Sequence, residues 1–344
     1  MTSVGYLKKV NVSIDGVDWK EVPAESPTLN KNVVMQENTD LSNTTGFKSR
    51  LQGLKDFNLG LEGNFSPGLT YQFNIKKSGT STGMIDETMS NIVGNTFKID
   101  DADKEIFDRE VTPTFEDNGV PVDAADIESI DFLVGTVTFT AARTEPVTVT
   151  GNFIPVTATV CVNQGSLDMN IELEEDTNIK SATNGWKTRV PKLKDVSMSL
   201  TAFNDLNKDF FGHIDNADII LAEITLGTVD PQIIRGWFIV ESDNDTGGVA
   251  DVETEEISLQ LDGDALSSFT WIYPTSGFNE ALRILTDFFF NEGDLHAQIL
   301  PENDIAKGFE GQVVMESFSL TLDINGKVTF SSSLQGNGAL VDAT

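Results

Sequence analysis

Cysteine is almost absent: Cys161 is the only one in 344 residues. A single thiol excludes an internal disulfide and any multi-thiolate metal centre, and it reads as a small buried apolar residue. Histidine is as scarce. His213 and His296 are far apart and outside any HxxxH or HExxH spacing, so zinc has no ligand set and each reads as a structural or surface residue. Basic residues are few too, 23 Lys and Arg against 54 Asp and Glu, a formal charge of −31. Binding a phosphate backbone requires cations that displace counterions, so nucleic-acid affinity is not expected. The acidic excess serves solubility and mutual repulsion.

Long apolar runs are also missing. Nowhere do about 18 apolar residues follow one another, as a membrane-crossing helix requires. The opening MTSVGYLKKV has no apolar signal core, so the expectation is synthesis in a cytoplasm and no membrane. No GxxxxGK[ST] loop or GxGxxG placed between a strand and a helix occurs, which leaves nucleotide chemistry without a foothold. The acidic clusters DDADKE from Asp100 and ESDNDTGG from Glu241 lack the spacing of a calcium loop and read as exposed turns. No carboxylate pair stands out for glycoside hydrolysis. The expectation is a protein that is not an enzyme, without cofactor or metal.

What the chain does have is repetition, which organises everything else. GFKSRLQGLKDFNLGL from Gly46 returns as GWKTRVPKLKDVSMSL from Gly185. Seven positions are identical: Gly46/Gly185, Lys48/Lys187, Arg50/Arg189, Leu54/Leu193, Lys55/Lys194, Asp56/Asp195 and Leu61/Leu200. In both copies apolar residues alternate with polar ones on the same parity: Phe57, Leu59 and Leu61, then Val196, Met198 and Leu200. Shared parity means a shared strand register. Leu167, Met169, Ile171 and Leu173 form another alternating strand, with Asp168, Asn170 and Glu172 on its other face. The polar segments ENTDLSNTT and EEDTNIKSATN before the repeated motif read as long exposed loops.

A second duplication pairs GWFIVES from Gly236 with GQVVMES from Gly311, and LDGDAL from Leu261 with LQGNGAL from Leu334. A helix is expected before each: ADIILAEITLG capped by Asn216, and NEALRILTDFFFNEG carrying Phe278, Leu282, Leu285 and Phe289 at helical spacing. Front halves (strand, loop, strand) and back halves (helix, strand, strand) thus run front, front, back, back. The implied arrangement is nested. Residues 1–75 form the front of the first domain, 156–275 the whole second domain, and 276–344 the back of the first; strand exchange between copies satisfies the same order. Residues 76–155 read as an inserted β subdomain or connector, with KKSGTSTGMIDETMSNIVGN as a surface loop.

GWKTRVPKLKDVSMSL resembles the Gly-Trp, basic, Val-Pro, Leu-Lys stretch of phage major tail proteins, the tail tube subunits of long non-contractile tails. The ending GKVTFSSSLQGNGAL is similar to that family's closing strand. The resemblance covers about residues 1–65 and 156–344. It implies a mainly β fold with one helix per domain (α+β), as two tail-tube-type β-barrel or sandwich domains plus the inserted β subdomain. Two such domains per chain imply a homotrimeric, pseudo-hexameric ring. Rings stack in the virion into a conduit for the genome, with tape measure, terminator and tip proteins as partners and genomic DNA passing without specific binding.

By the same resemblance, the inter-ring loops hold Glu37, Asn38, Asp40 and Thr45, and Glu174, Glu175, Asp176 and Asn184. The elbows Gly46, Lys48 and Arg50, and Gly185, Trp186, Lys187 and Arg189, are expected at interfaces with acidic residues of neighbouring subunits or rings. The lumen candidates are the polar strand faces: Asn58, Gly60 and Glu62, with Asp168, Asn170, Glu172, Ser197, Ser199 and Thr201. First-copy departures are Phe47 for Trp and Gln52-Gly53 for Val-Pro. The competing class is an extracellular β-sandwich adhesin or carbohydrate-binding module, which needs aromatics clustered over a groove. Trp19, Trp186, Trp237 and Trp271 show no such spacing.

Overall fold

A computed structural model describes residues 8–37, 50–65, 74–175, 186–203, 219–227, 230–246, 254–263, 268–275, 277–291, 293–301, 307–323 and 327–343. The protein is mainly β, with one α-helix among the described residues. It divides into two compact units. One holds Met1–Tyr71, Gln164–Met198 and Pro274–Thr344; the other holds Gln72–Asn163 and Ser199–Tyr273.

In the first unit Thr28–Glu37 pairs with Arg50–Asn64, which pairs with Lys327–Asp342, which pairs with Phe309–Asp323, all antiparallel. The far edge of Phe309–Asp323 is shared. Leu295–Pro301 lies along its beginning, and the Leu167 end of Val156–Glu175 along its end, Leu167 opposite Leu320. Lys8–Ser13 and Lys20–Val22 continue from Leu295–Pro301. The alternating residues behave as their parity requires: Phe57, Leu59, Leu61, Leu167 and Met169 are buried with Phe318, Leu320, Phe330 and Leu334. Phe318 stacks on Phe330 at 6.1 Å and takes the edge of Phe65 at 6.4 Å.

The helix Glu280–Phe290 packs on Lys8–Ser13, Lys20–Val22 and Phe309–Asp323. Asn279 caps it, its side chain accepting from the N–H groups of Ala281 (2.9 Å) and Leu282 (3.1 Å), which satisfies donors that the first turn leaves open. Its apolar stripe of Leu282, Leu285 and Phe289 is buried.

In the second unit Gln232–Thr246 pairs with Ile219–Leu226, Thr254–Leu261 and Phe269–Ile272. Asn74–Ser78 links Ile219–Leu226 to the start of Val156–Glu175. Residues 82–153 carry a separate seven-stranded sheet. Its order is Ile127–Asp131, Thr136–Phe139, Thr96–Ile99, Thr82–Val93, Val147–Phe153, Thr114–Asp117, Val120–Pro121. Its core is Phe97, Phe107, Phe115 and Phe139 with Val137, Val147 and Val149.

Three expectations are corrected. The segment expected as the first helix is a strand from Ile219 to Leu226; Asn216 lies outside the described residues. Residues 220–224 are all buried, and a segment buried on both faces shows no period by which to tell strand from helix. The Gly, Ser and Thr-rich stretch expected as a loop contains the strand Thr82–Val93, which buries Met84 and Met89 and leaves Ile85, Ile92 and Val93 exposed with its polar residues. ESDNDT, expected as an acidic turn, completes the strand Gln232–Thr246, with Asp243 opposite Ile257.

The pairing registers carry the second duplication at a constant spacing of 75. Ala222 faces Gly236 and Ala297 faces Gly311; Val240 faces Leu259 and Met315 faces Leu334. Both repeats break register at the same place, between Val240 and Ser242 and between Met315 and Ser317. A β-bulge is a position-specific feature, so its recurrence is structural repetition. The register also corrects the match read from the letters: Leu334 corresponds to Leu259, not Leu261. Ser258, Leu259, Gln260 and Gly263 then meet Ser333, Leu334, Gln335 and Gly338 as identities.

Candidate functional site

The four-strand run of the first unit turns one face inward and fills the other with small polar side chains. Pairing registers place them in rows: Asn30, Asn58 and Gln335; Thr28, Gly60, Ser333, Ser317 and Asn170; Glu62, Ser331, Ser319 and Asp168; Asn64, Thr329, Thr321 and Ser166. Expected lumen residues from both sequence copies therefore share one face, joined by two hydroxyl-rich strands. Asn30 donates to Asn58 Oδ1 at 2.9 Å, Ser166 to Asp168 Oδ2 at 3.1 Å, and Ser333 and Gln335 to Glu316 Oε2 at 2.8 and 2.7 Å. None of these residues is Lys or Arg. Hydroxyls hold water without charge and carboxylates repel phosphate, so nothing in these rows drives counterion release.

Other lumen candidates divide. Glu172 is exposed, two residues beyond the Asn170–Ser317 pair, and Ser197 is half-buried in the first unit. Ser199 and Thr201 belong to the second unit, exposed and half-buried. Asn38, Asp40, Thr45, Gly46, Lys48, Asp176, Asn184 and Gly185 lie outside the described residues. Glu37 ends its strand with its Cα opposite that of Arg50.

The second elbow engages partners within its own chain. Trp186 forms a parallel bridge with Lys55, its ring meets Phe57 edge-on at 5.9 Å, and Lys55 Nζ lies 5.7 Å from the indole centroid. The Lys187 N–H donates to Lys55 O at 3.0 Å, and Gly338 N–H donates to Lys187 O at 2.9 Å. Arg189 Nη2 reaches Asp56 Oδ2 at 2.5 Å, Nη1 donates to Gly336 O, and the backbone N–H donates to Asn337 Oδ1 at 2.7 Å. The Arg189 and Asp56 side chains are 11% and 19% exposed, which shields the pair from the screening that weakens surface pairs. Lys187 Nζ donates to Glu175 at 2.7 Å, and Lys192 pairs with Glu174. The Glu174 hydrogen bond, then its charge, raises the Lys192 pKa. Repetition pointed to Lys187, Arg189 and Asp56, but nothing in the sequence said which acidic residue each cation would meet.

In the second unit Arg235 joins the small sheet to the larger one. It donates to Glu223 at 2.5 Å, to the Leu133 carbonyl at 3.0 Å, and to Glu105. Ile106, Leu133 and Ile154 pack there with Leu221 and Trp237. Arg109 adds a pair with Asp262 at 2.5 Å and lies over the Trp237 ring. The DDADKE cluster is used locally. Asp101 caps the short turn Ala102–Lys104 and pairs with Lys104, whose hydrogen bonds to Glu87, then Asp101, raise its pKa. His296 lies under Gly16, and His213 is outside the described residues.

No known family model matches this chain, and no characterised protein matches it in sequence.

Proposed function

We propose that the chain is the tube subunit of a long non-contractile phage tail, three copies closing each pseudo-hexameric ring and rings stacking into a conduit for the genome. The observation that carries this reading is the set of adjoining rows of hydroxyls, amides and carboxylates, none of them Lys or Arg, on which Asn58, Gly60 and Glu62 meet Asp168 and Asn170. A conduit wall must let a polyanion slide. Each exposed Lys or Arg would hold a phosphate, while hydroxyls and carboxylates would not. The matched bulges support two homologous domains per chain, hence six ring positions from three chains. The nested pairing of residues 1–75 with 276–344 is part of the proposal, as are the virion location and the partners at each tail end.

Electron microscopy of the purified protein tests it. Threefold rings or stacked tubes are expected under conditions favouring assembly. Persistently dispersed monomers that bind glycans would replace this reading with the adhesin one. That alternative needs exposed aromatics, whereas Trp237 and Trp271 are 5% and 6% exposed.

A further inference from the structure

Val156–Glu175 leads into the second copy of the repeated motif as Thr28–Glu37 leads into the first. Phe309–Asp323 and Gln232–Thr246 are likewise matching strands, at the spacing of 75 and bulged at the same place. Within the first unit Val156–Glu175 lies antiparallel on Phe309–Asp323, beyond the stretch that Leu295–Pro301 covers: Asn170 is opposite Ser317, Met169 opposite Phe318 and Asp168 opposite Ser319. Among the described residues the matching strands make no such joint. Thr28–Glu37 pairs there only with Arg50–Asn64, so no described strand lies on its other edge. Gln232–Thr246 pairs with Thr254–Leu261 along one edge, while on the other Ile219–Leu226 reaches only to Ile239. The described chain therefore holds one filled joint of this kind and both halves of a second.

We infer that Thr28–Glu37 of one chain pairs antiparallel with the end of Gln232–Thr246, beyond Ile239, in a second copy of this chain. The register follows from the filled joint. The motif copies lie 139 residues apart, but between Val33 and Met35 the strand Thr28–Glu37 takes two steps where Arg50–Asn64 takes three, so N-terminal to that shift the spacing is 138. Leu29 then matches Leu167 and Asn30 matches Asp168, apolar on apolar and polar on polar. A spacing of 139 would put Leu29 on Asp168 and reverse the faces. Carried over, Asn30 faces Asn244 and Lys31 faces Asp243, where the filled joint has Asp168 facing Ser319 and Met169 facing Phe318. Met169 and Phe318 are both fully buried; their counterparts are a cation and an anion. An inward-pointing charge on an edge strand blocks indiscriminate pairing, yet it admits an edge that brings the opposite charge to the same position. Lys31 is exposed, its ammonium over the Phe309 ring at 3.4 Å in its own chain, and Asn30 and Asn244 are exposed too. The contact is heterologous, so it closes into rings or runs on as filaments. Closure by three chains rests on the proposed tube function; the pairwise joint rests on the duplication and its register.

Cross-linking in a Cys161→Ser background tests it. Facing residues of antiparallel strands have Cα atoms about 4.5–5.5 Å apart, within disulfide reach. D168C/S319C, which face each other within one chain, is the intramolecular control. Chains carrying only Asn30→Cys are mixed with chains carrying only Asn244→Cys and mildly oxidised. The expected product is a covalent dimer of twice the monomer mass that needs both variants. It should not form when Ser90→Cys, exposed on Thr82–Val93, replaces Asn244→Cys. In a second arm, Lys31→Glu is expected to weaken self-association in sedimentation by about tenfold or more, because it sets like charge against Asp243. K31E/D243K should restore it, with circular dichroism unchanged throughout. Absence of the mixed dimer, equal cross-linking to Ser90→Cys, or no recovery in K31E/D243K overturns the inference. Tubes without the mixed dimer would sink this joint and leave the tube reading standing. The mixed dimer without rings or tubes would do the reverse.

Discussion

Arg235 Nε and Glu223 Oε2 lie 2.5 Å apart across neighbouring strands, with side chains only 4% and 1% exposed. The matching pair in the other repeat is Gln298 and Glu310, where Gln298 Nε2 donates to Glu310 Oε2 at 3.3 Å. One position thus serves as an ion pair where the small sheet docks and as an amide contact where none does. Arg235→Met should strand Glu223 without its counter-charge and destabilise the protein by about 3–5 kcal/mol in urea unfolding. R235M/E223L should recover most of that loss, because a buried pair replaced by apolar groups costs far less than a broken one. Glu105 keeps Lys98 at 3.0 Å in both variants. Equal stability of single and double variants would refute the argument.

Gly336 is required by Phe57. A Cβ at this glycine would stand 2.4 Å from two atoms of the Phe57 ring. At the matching positions the other copies carry Leu261 and Val196, a large residue for the glycine and a smaller one for the phenylalanine. Gly336→Leu should therefore cost about 1–3 kcal/mol through overpacking. F57V/G336L should be more stable than G336L alone, although Phe57→Val by itself removes buried volume and also destabilises. Thermal melts of the three variants and the parent decide whether the two sites exchange volume.

The strands with one wet face were legible because their period was visible: Phe57, Leu59 and Leu61 are buried as their alternation predicts. The helix at Glu280 was legible through the one-sided stripe of Leu282, Leu285 and Phe289. Ile219–Leu226 was not, since burial on both faces erases the period. Thr82–Val93 was hidden by the cluster of Gly, Ser and Thr around its start, which reads as a loop until neighbouring strands pair with it. At the candidate site, repetition singled out Lys187, Arg189 and Asp56, but not that Arg189 meets Asp56 or that Lys187 meets Glu175, because those proximities depend on long-range strand order. The Ser317, Ser319, Ser331 and Ser333 rows were missed because each serine is unremarkable until two strands bring it beside Glu62 and Asp168.

Asp15 gives a pH marker for the turn that follows Lys8–Ser13. Its carboxylate accepts from the Asp18 N–H, the Ser13 hydroxyl and the Val17 N–H, which lower its pKa to about 2 from 3.8. A depressed folded-state pKa contributes stability that is present above the unfolded value and lost as pH falls through the folded one. The turn should hold at pH 4 and loosen between about 3.8 and 2. Asp15 carboxyl carbon shifts in an NMR titration should show a midpoint near 2, and Ser13→Ala should move it upward. A midpoint near the ordinary aspartate value would show that the turn's donors do not hold the carboxylate in solution.

The hydroxyl face makes its own prediction about DNA. Ser319 and Ser331 are cross-strand neighbours in the row that ends at Glu62 and Asp168, so lysines placed there would sit among carboxylates yet above a surface with no other cation in those rows. The parent protein should show no binding to labelled duplex DNA in fluorescence anisotropy, even at low salt. S319K/S331K should bind weakly, with log affinity falling as log salt rises by about 0.9 for each phosphate engaged. A control pair of lysines on the exposed strand Thr82–Val93, at Ser90 and Thr82, adds the same net charge elsewhere. If the control binds as well as S319K/S331K, net charge rather than this face governs DNA repulsion. If the parent itself binds duplex with a steep salt dependence, a non-adhesive wall is the wrong description of these strands.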